Sequence, residues 1–361
     1  MMGSVQAHKP KTSAAPLVED LNPKRLLLAA DCAPPTVNGV TDSVQELQRE
    51  LESRGHQVHF IGPQYTLPNP LYPQVPIPLP RTDMRSIAAF VKDFAPHFIH
   101  LAGEATIALQ LRALCLDKGY EFTTSFHTLW PHYAQQYLGI PETFLWNRLR
   151  AFHNSGQATM TRSPDMVEEL TRRGFHHVVE WNGSYDEKVF FPRPRKLTHL
   201  KRPILLYVGR VAVEKNIEEF LACKVNFGTK VVVGDGPIRA ELERRYPEVV
   251  FVGVARGEQL AQWFNEGDVF VFPSKSDTFG RVIVQALACG VPVASLPVRN
   301  VRDIITHEGL GALSSDLTEA IEIALQTGVP DLCIEHARKY SLARTTDQFL
   351  SHLTPSRAAA D

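Results

Sequence analysis

The 361-residue chain lacks features that mark several large classes of protein. It has no apolar run approaching the 18 or more residues of a membrane-spanning helix. Residues 1–23 lack the apolar middle of a secretory signal peptide, and we expect them to form a disordered tail. The sequence therefore predicts neither a membrane-spanning nor a secreted protein.

Cysteine is scarce, with five residues far apart and no C-x-x-C pair. Such thiols are typical of a reducing compartment and predict neither a disulfide framework nor a zinc site. An excess of one charge is also missing, because 38 Lys and Arg balance 39 Asp and Glu. The net charge of -1 gives no overall field, so we do not expect a nucleic-acid partner.

The chain does contain short apolar runs that alternate with amphipathic stretches, beginning with Arg25–Ala30 and Gln57–Ile61. This alternation predicts parallel strands joined by crossover helices, and the length suits two domains. We predict an α/β protein with two Rossmann-like, doubly wound domains facing each other across a cleft. The predicted segments are a tail (1–23), an N-terminal domain (24–189), a linker (190–203), a C-terminal domain (204–335) and C-terminal helices (336–361) whose return to the N-terminal domain is left open.

The region from Pro63 to Pro80 contains seven prolines. Proline lacks the N–H donor that a central strand needs, so this region is predicted to be an irregular surface loop.

The stretch Tyr207–Asn216, YVGRVAVEKN, places two cations where a strand gives way to a helix predicted near Glu214. Gly209 lets the backbone turn closely before Arg210, and Lys215 lies in the first predicted turn. A guanidinium and an ammonium beside a helix N-terminus suit a diphosphate. Two solvated surface charges are the alternative interpretation.

The next stretch, VVVGDGPIRAEL, matches the start of the dinucleotide-binding pattern G-x-G-x-x-G through Gly234 and Gly236. Arg239 stands where the third glycine belongs, and the following strand supplies no ribose-binding acid. These departures argue against NAD, and an ordinary helix start explains the glycines equally well.

A third stretch, Val269–Pro292, runs from a buried strand through a polar loop into a helix that Asp277 or Thr278 is predicted to cap. Polar groups at this sheet edge are well placed for a ligand, although Asp277 acting only as a helix cap is the alternative. The other candidate contacts here are Phe279, Gly280 and Gln285.

The first domain offers weaker candidates. Gly39 follows the first strand and brings backbone N–H groups close to an anion. His127 and Glu104 each follow a strand at the edge where sites gather, but a lone residue of either type is more often structural.

Together these segments resemble a retaining glycosyltransferase of the GT-B fold in family GT4, and within it the bacterial GDP-mannose-dependent α-mannosyltransferase branch. The resemblance extends from about residue 24 to residue 353 and rests on the order and spacing of five motifs. They are V-N-G-V (Val37–Val40), S-F-H-T (Ser125–Thr128), G-R-V-A-V-E-K-N (Gly209–Asn216), G-D-G-P (Gly234–Pro237) and F-V-F-P-S-K-S-D-T-F-G (Phe270–Gly280).

The resemblance implies specific roles. Arg210 and Lys215 would bind the donor diphosphate and stabilise the leaving nucleotide, replacing a metal. His127 would position the donor sugar, and Asp277 would stabilise positive charge at its anomeric carbon. The implied donor-binding residues are Gly39, Gly209, Gly236, Thr278, Phe279, Gly280 and Gln285.

It also implies a hexosyltransferase with no separate cofactor. The donor would be GDP-mannose or a UDP-hexose, with mannose favoured, and the acceptor a lipid or a glycan. A cytoplasmic location is implied, and peripheral contact with the inner membrane face is left open, with the helix around Arg148, Arg150 and Phe152 as its candidate.

The chain departs from the family pattern at several positions. Gln285 replaces the glutamate that accepts the ribose hydroxyls, and loss of its charge is expected to weaken donor binding about tenfold. Leu129 and His132 replace an Arg and a Glu, and Gly183–Asp186 replaces a G-V-D turn. A non-catalytic sugar-nucleotide-binding protein is therefore the main alternative, and a nicotinamide oxidoreductase is a remote one.

Overall fold

The computed structural model describes residues 23–33, 39–69, 76–197, 199–225, 227–275 and 277–356. The predicted tail lies outside the described residues, apart from its last residue, as do Val37 and Asn38 of the first motif.

The chain folds into two halves, each built of strands and helices. The strands of the first are β1 (Arg25–Ala30), β2 (Gln57–Ile61), β3 (Thr66–Leu67), β4 (Ile77–Pro78), β5 (Phe98–Ala102), β6 (Thr123–Ser125), β7 (Thr159–Thr161) and β8 (Val178–Glu180). Its helices are α1 (Gly39–Ser53), α2 (Met84–Phe94), α3 (Thr106–Lys118), α4 (Trp130–Leu138), α5 (Glu142–His153) and α6 (Pro164–Arg172).

The strands of the second half are β9 (Ile204–Val208), β10 (Thr229–Val233), β11 (Val250–Gly253), β12 (Val269–Phe272), β13 (Val293–Ser295) and β14 (Gly311–Leu313). The helices are α7 (Ile217–Ala222), α8 (Arg239–Arg245), α9 (Gly257–Glu266), α10 (Arg281–Ala288), α11 (Arg299–Arg302), α12 (Leu317–Thr327), α13 (Pro330–Ala337) and α14 (Leu342–Ser351).

Within the described residues, each half contains a parallel sheet. The strand orders are β2-β1-β5-β6-β7-β8 and β11-β10-β9-β12-β13-β14. In both sheets the order reverses beside the first strand, between β1 and β5 and between β9 and β12. Ligands bind beyond the carboxyl ends of strands at such switch points. The predicted fold of two doubly wound α/β domains is confirmed.

Each sheet is buried on both faces, which explains why its central strands read as continuous apolar runs. In β1, Leu26 and Leu28 pack in one cluster with Leu47 of α1, whereas Leu27 and Ala29 join the cluster on the opposite face. All five residues of β9 are buried as well.

Several local predictions are corrected. The proline-rich region is not wholly irregular, because β3 and β4 pair as an antiparallel ladder. The helix predicted near Glu214 is a 3-10 turn over Val213–Lys215, and α7 begins only at Ile217. Asn216 separates the two with a φ of 53°, a left-handed conformation that interrupts an α-helix.

The chain crosses between the domains twice. The backbone N–H of Tyr185 donates to the carbonyl of Tyr340 at 3.0 Å, and the N–H of Leu342 donates to the carbonyl of Tyr185 at 2.9 Å. After the first crossing, residues 190–197 run along the second domain, where the N–H of Arg193 donates to Asn265. After the second crossing, α14 packs on α1 of the first domain.

Among the described residues the longest helix is α1, with 15 residues. No helix in the described part of the chain is both long and apolar enough to cross a bilayer.

The return of α14 makes a stability prediction possible. Phe349 is fully buried against Trp181 and His100, with ring centroids at 5.0 and 4.9 Å. Phe349→Ala removes this packing and leaves a cavity, so we expect a loss of about 3–5 kcal/mol, measured by urea denaturation. Leu138→Ala, at a position that is 55% exposed, is the control and should change stability by less than about 0.5 kcal/mol. A loss below about 1 kcal/mol for Phe349→Ala would show that α14 contributes little to the first domain.

Candidate active site

A cleft of about 870 Å³ lies between the two domains, at the carboxyl ends of both sheets. Its size is within the range of about 300–1,000 Å³ that is common for small-molecule sites. The residues after β1, β5 and β7 line one wall, and those after β9 and β12 line the other. The predicted residues that line it are Gly39, His127, Gly209, Arg210, Lys215, Asp277, Thr278, Phe279 and Gly280.

Arg210 follows β9 in a loop that is fixed on several sides. The hydroxyl of Tyr207 donates to the Arg210 carbonyl at 2.7 Å, and the N–H of Val211 donates to the carbonyl of Asp235 at 2.9 Å. The Arg210 guanidinium lies 3.2 Å from the carboxylate of Glu214. The loop therefore presents this cation to the cleft from a rigid backbone.

The two glycines of the G-D-G motif allow this loop to contact the next one. A Cβ on Gly234 would lie 1.8 Å from the Gly209 carbonyl oxygen, and one on Gly236 would lie 2.1 Å from that of Val211. Only glycine permits such an approach of two backbones. Gly236 does not line the cleft, and its predicted contact with a donor stays a prediction.

Lys215 and Asp277 join the loops that follow β9 and β12. The ammonium lies 2.5 Å from the carboxylate, and the amide of Asn216 donates to the Pro273 carbonyl at 3.1 Å. Burial by itself would raise the pKa of Asp277, but the charge of Lys215 and hydrogen bonds from Lys215 and Ser274 outweigh it and lower this pKa. The carboxyl group is therefore ionised at neutral pH.

Asp277 and Thr278 do not cap α10, which corrects the prediction. The N-cap is Gly280, with a φ of 82° and no side-chain capping bond. Instead, the Thr278 hydroxyl donates to the carbonyl of His127 at 3.0 Å, across the cleft. The helix-cap explanation for Asp277 is thus excluded.

Further contacts hold the two walls together at the same place. Arg281, the first residue of α10, donates to the carbonyl of Ser184 at 2.9 Å and forms an ion pair with Glu46 of α1. A Cβ on Gly183 would lie 2.1 Å from the ring of Phe279, so the glycine allows the chain crossing to lie against this loop.

His127 has both ring nitrogens engaged within the first domain. Nε2 lies 2.7 Å from the Ser125 hydroxyl, and Nδ1 accepts from Nε of Arg162 at 3.4 Å. Burial, with the charge of Arg162, holds the pKa of His127 well below its usual range. The ring is therefore neutral, and His127 holds Arg162 in place. Its predicted contact with a sugar stays a prediction.

The two remaining donor candidates differ in position. Gly39 begins α1, and a Cβ there would have no neighbour within 4 Å among the residues that the structure describes. Gln285 lies on α10, is only 5% exposed and is not among the lining residues.

Two acids line the cleft on the side of the first domain. Asp31 follows β1 and accepts from the N–H groups of Ala105, Ile107 and Ala108 at 2.7, 2.8 and 3.2 Å. Burial raises the pKa of Asp31 to about 6, although the three amides act in the opposite direction. Glu104 follows β5 and lies 3.3 Å from Nε2 of His153.

The part of the cleft bounded by α3, α4 and α5 is largely apolar, although Arg148 of α5 also lines it. The apolar lining side chains there are Leu109, Trp130, Ile140, Leu145, Leu149 and Phe152. Trp130 and Leu109 are also 41% and 40% exposed at its mouth. This end of the cleft suits an apolar group, whereas the wall formed by the second domain carries Arg210 and Lys215.

Arg162 and Asp31 are missing from the sequence-based candidates. Asp31 directly follows a correctly predicted strand, so its position at a sheet edge could have identified it. Arg162 follows β7, whose sequence Thr-Met-Thr is too short and too polar to predict a strand.

Comparison with known protein families identifies the family to which this chain belongs. The family described as Glycosyltransferase Family 4 matches residues 37–183, and that described as Glycosyl transferases group 1 matches residues 202–327. Together the matches cover more than half of the chain and include both domains.

The chain belongs to glycosyltransferase family 4. It is a glycosyltransferase, and the family resemblance inferred from the motifs is confirmed. The chain is 29% identical to a GDP-mannose-dependent alpha-mannosyltransferase of Mycolicibacterium smegmatis, over 91% of this chain and 96% of that protein. It is 28% identical to a sulfoquinovosyl transferase of Arabidopsis thaliana, over 80% and 62% of the two chains.

Solved structures support the GT-B fold of this glycosyltransferase. A sucrose-phosphate synthase from Thermosynechococcus elongatus has a TM-score of 0.73 at 20% identity, covering 90% of this chain and 97% of that one. The catalytic domain of starch synthase IV from Arabidopsis thaliana has a TM-score of 0.67 at 13% identity, covering 91% and 98%.

The buried acid Asp31 leads to a prediction about pH. Its pKa of about 6 in the folded protein exceeds the value of about 3.9 expected in the unfolded chain. Between these values the folded state binds more protons, so this group makes stability fall as the pH rises from about 4 to 6, by on the order of 2 kcal/mol. Asp31→Asn stays neutral and should flatten this part of the profile, measured by urea denaturation at several pH values.

Asp117 provides the control, because it is an exposed acid near the C-terminal end of α3, the helix whose first N–H groups donate to Asp31. Asp117→Asn should keep the wild-type pH profile. If Asp31→Asn also keeps it, Asp31 is not the group that titrates in this range.

Proposed function

We propose that this glycosyltransferase transfers a hexose, with retention and without a metal, from a nucleoside-diphosphate donor, and that the preferred donor is GDP-mannose. The observation that carries the proposal is the pairing of Arg210 and Lys215 with acids at the edge of the second sheet, facing the cleft. The names of relatives such as the mannosyltransferase of Mycolicibacterium smegmatis support the choice of donor.

The proposed mechanism begins with the diphosphate. Its oxygens compete with Glu214 for Arg210 and with Asp277 for Lys215, so both cations turn from the acids to the phosphates. As the glycosidic bond breaks, negative charge grows on the leaving phosphate, and two fixed cations stabilise it most at that moment. In this proposal the cations take the role that a metal has in other sugar transfers.

Asp277 then acts on the sugar. Once Lys215 contacts the phosphate, the ionised carboxylate lies beside the developing oxocarbenium ion and stabilises its positive charge. The Phe279 and Gly280 backbone would hold the sugar hydroxyls. For retention, the acceptor hydroxyl attacks from the face that the nucleotide leaves, and a diphosphate oxygen accepts its proton.

For the acceptor, we propose a lipid-linked molecule. The apolar end of the cleft around Leu109, Trp130 and Leu149 would receive its hydrocarbon part, and its hydroxyl would point towards the donor. Phe144, which is 56% exposed, and Arg148 lie on α5 at this end and suit peripheral contact with a membrane. A glycan acceptor would leave this apolar surface unused.

A thermal-shift panel of GDP, UDP, ADP and their hexose conjugates tests the donor site. A ligand at 100 times its dissociation constant adds about 2.7 kcal/mol, which is a shift of several degrees. We expect a shift with GDP and GDP-mannose that Arg210→Ala and Lys215→Ala abolish, with at least a hundredfold loss of turnover. Arg244→Ala, at an exposed position on α8, should keep the shift. No shift with any nucleotide would contradict the proposal and favour a non-catalytic protein.

A second prediction concerns Gln285. If its side chain contacts the ribose, Gln285→Glu supplies a charge-assisted hydrogen bond and should tighten GDP binding about tenfold. Isothermal titration calorimetry measures the change. Gln262→Glu, on α9 outside the cleft, should leave GDP affinity unchanged. A lower melting temperature without tighter binding would show that Gln285 only fills space in the core.

A further inference from the structure

Arg162 is a buried cation in the cleft wall that the proposed mechanism does not use. It follows β7 at the carboxyl end of the first sheet, lines the cleft and is only 6% exposed. Arginine is rarely buried to this extent unless a partner compensates its charge.

Three contacts fix the guanidinium of Arg162. It lies over the ring of Trp181 at 3.7 Å, donates from Nη1 to the carbonyl of Asn182 at 3.1 Å, and donates from Nε to His127 at 3.4 Å. None of these partners carries a negative charge. The buried Nη2 has no hydrogen-bond partner among the residues that the structure describes.

The two charged side chains that act on Arg162 form an ion pair with each other. Glu46 is the carboxylate whose charge acts favourably on Arg162, but it forms an ion pair with Arg281, which repels Arg162. In the described part of the chain no carboxylate lies within ion-pair distance of Arg162, whereas Arg210 and Lys215 each have one. Burial lowers the pKa of Arg162 to about 9, which still leaves it charged at neutral pH.

A network of buried side chains holds this cation in position. His100 of β5 contacts the hydroxyls of Thr123 and Ser125 at 2.9 and 3.0 Å, Ser125 contacts His127, and His127 contacts Arg162. These groups come from successive strands of one sheet. A fixed guanidinium loses little conformational entropy when it binds a planar or tetrahedral oxyanion.

We propose that Arg162 binds an anionic group of the substrate, a carboxylate, sulfonate or phosphate, that is separate from the donor diphosphate. This inference rests on the proposed function. Arg162 belongs to the first domain and contacts the ring of His127, whose carbonyl meets Thr278 in the loop proposed to hold the sugar. The diphosphate cations Arg210 and Lys215 belong to the second domain. The anionic group therefore belongs either to the transferred sugar or to the acceptor.

Two matched pairs of probes test whether the anionic group belongs to the transferred sugar or to the acceptor. GDP-mannose and GDP-mannuronic acid differ only in a carboxylate on the sugar. Dioctanoylglycerol and dioctanoyl phosphatidic acid differ only in a phosphate on the lipid. Dissociation constants of all four, and of GDP alone, are measured by calorimetry for the wild type and for Arg162→Gln.

We expect the anionic member of one pair to bind the wild type at least tenfold more tightly than its neutral partner. Arg162→Gln should remove this preference and leave GDP affinity within about twofold. Arg162→Lys retains the charge without the fork of donors and should keep part of the preference, which guards against a folding defect in the Gln variant.

Arg173 offers a matched control, because it also lies over a tryptophan, Trp146, at 4.0 Å, but is not among the residues lining the cleft. Arg173→Gln should leave all affinities unchanged.

Two results would overturn the inference. If neither pair shows a preference for its anionic member, Arg162 has only a structural role. If Arg162→Gln weakens GDP as strongly as Arg210→Ala does, Arg162 belongs to the diphosphate site. A failure of GDP to bind the wild type would contradict the proposed function instead, and the lipid pair, which needs no nucleotide, would still test Arg162.

Discussion

The site depends on two backbone hydrogen bonds that join the places where the chain crosses between its domains. Tyr185 pairs with Tyr340 and Leu342, so the outgoing and returning segments lie side by side. This pairing brings the carboxyl edges of two separate sheets to opposite walls of one cleft. Asp31 and Arg162 lie at the edge of the first sheet, and Arg210 and Asp277 lie at the edge of the second.

Contacts that cross the cleft include the hydrogen bond from the Thr278 hydroxyl to the His127 carbonyl and the ion pair of Arg281 with Glu46. The ion pair of Lys215 with Asp277 joins two loops of the second domain. Most of these are charged or hydrogen-bonded pairs with modest net energies, since each replaces bonds to water.

The sequence predicted the parts of the fold that follow from local apolar patterns. Strands such as Arg25–Ala30 and Gln57–Ile61 are found at the predicted residues, because buried parallel strands must be continuous apolar runs. The strand Thr159–Thr161 was not predicted, since its two threonines look polar in the sequence although both are buried, where Thr159 accepts a hydrogen bond from Thr124. Because this strand was not predicted, Arg162, which follows it, was not recognised as a candidate site residue.

The sequence likewise did not predict contacts between residues that are far apart in the chain. Asp277 looked like a helix cap because the cap rule is local, whereas its ion pair with Lys215 spans 62 positions in the chain. The motif order identified the family and the positions of its cations. It did not reveal that both ring nitrogens of His127 are engaged, or that Gln285 lies in the core.

The return of α14 to the first domain also affects the order in which the protein can be completed during synthesis. The second domain, from β9 to α13, leaves the ribosome before Phe349 does. Until then, Trp181 and His100 lack the ring that covers them, and the first domain exposes an apolar surface beside α1. Although it is synthesised first, the N-terminal domain cannot complete its core until α14 has been synthesised.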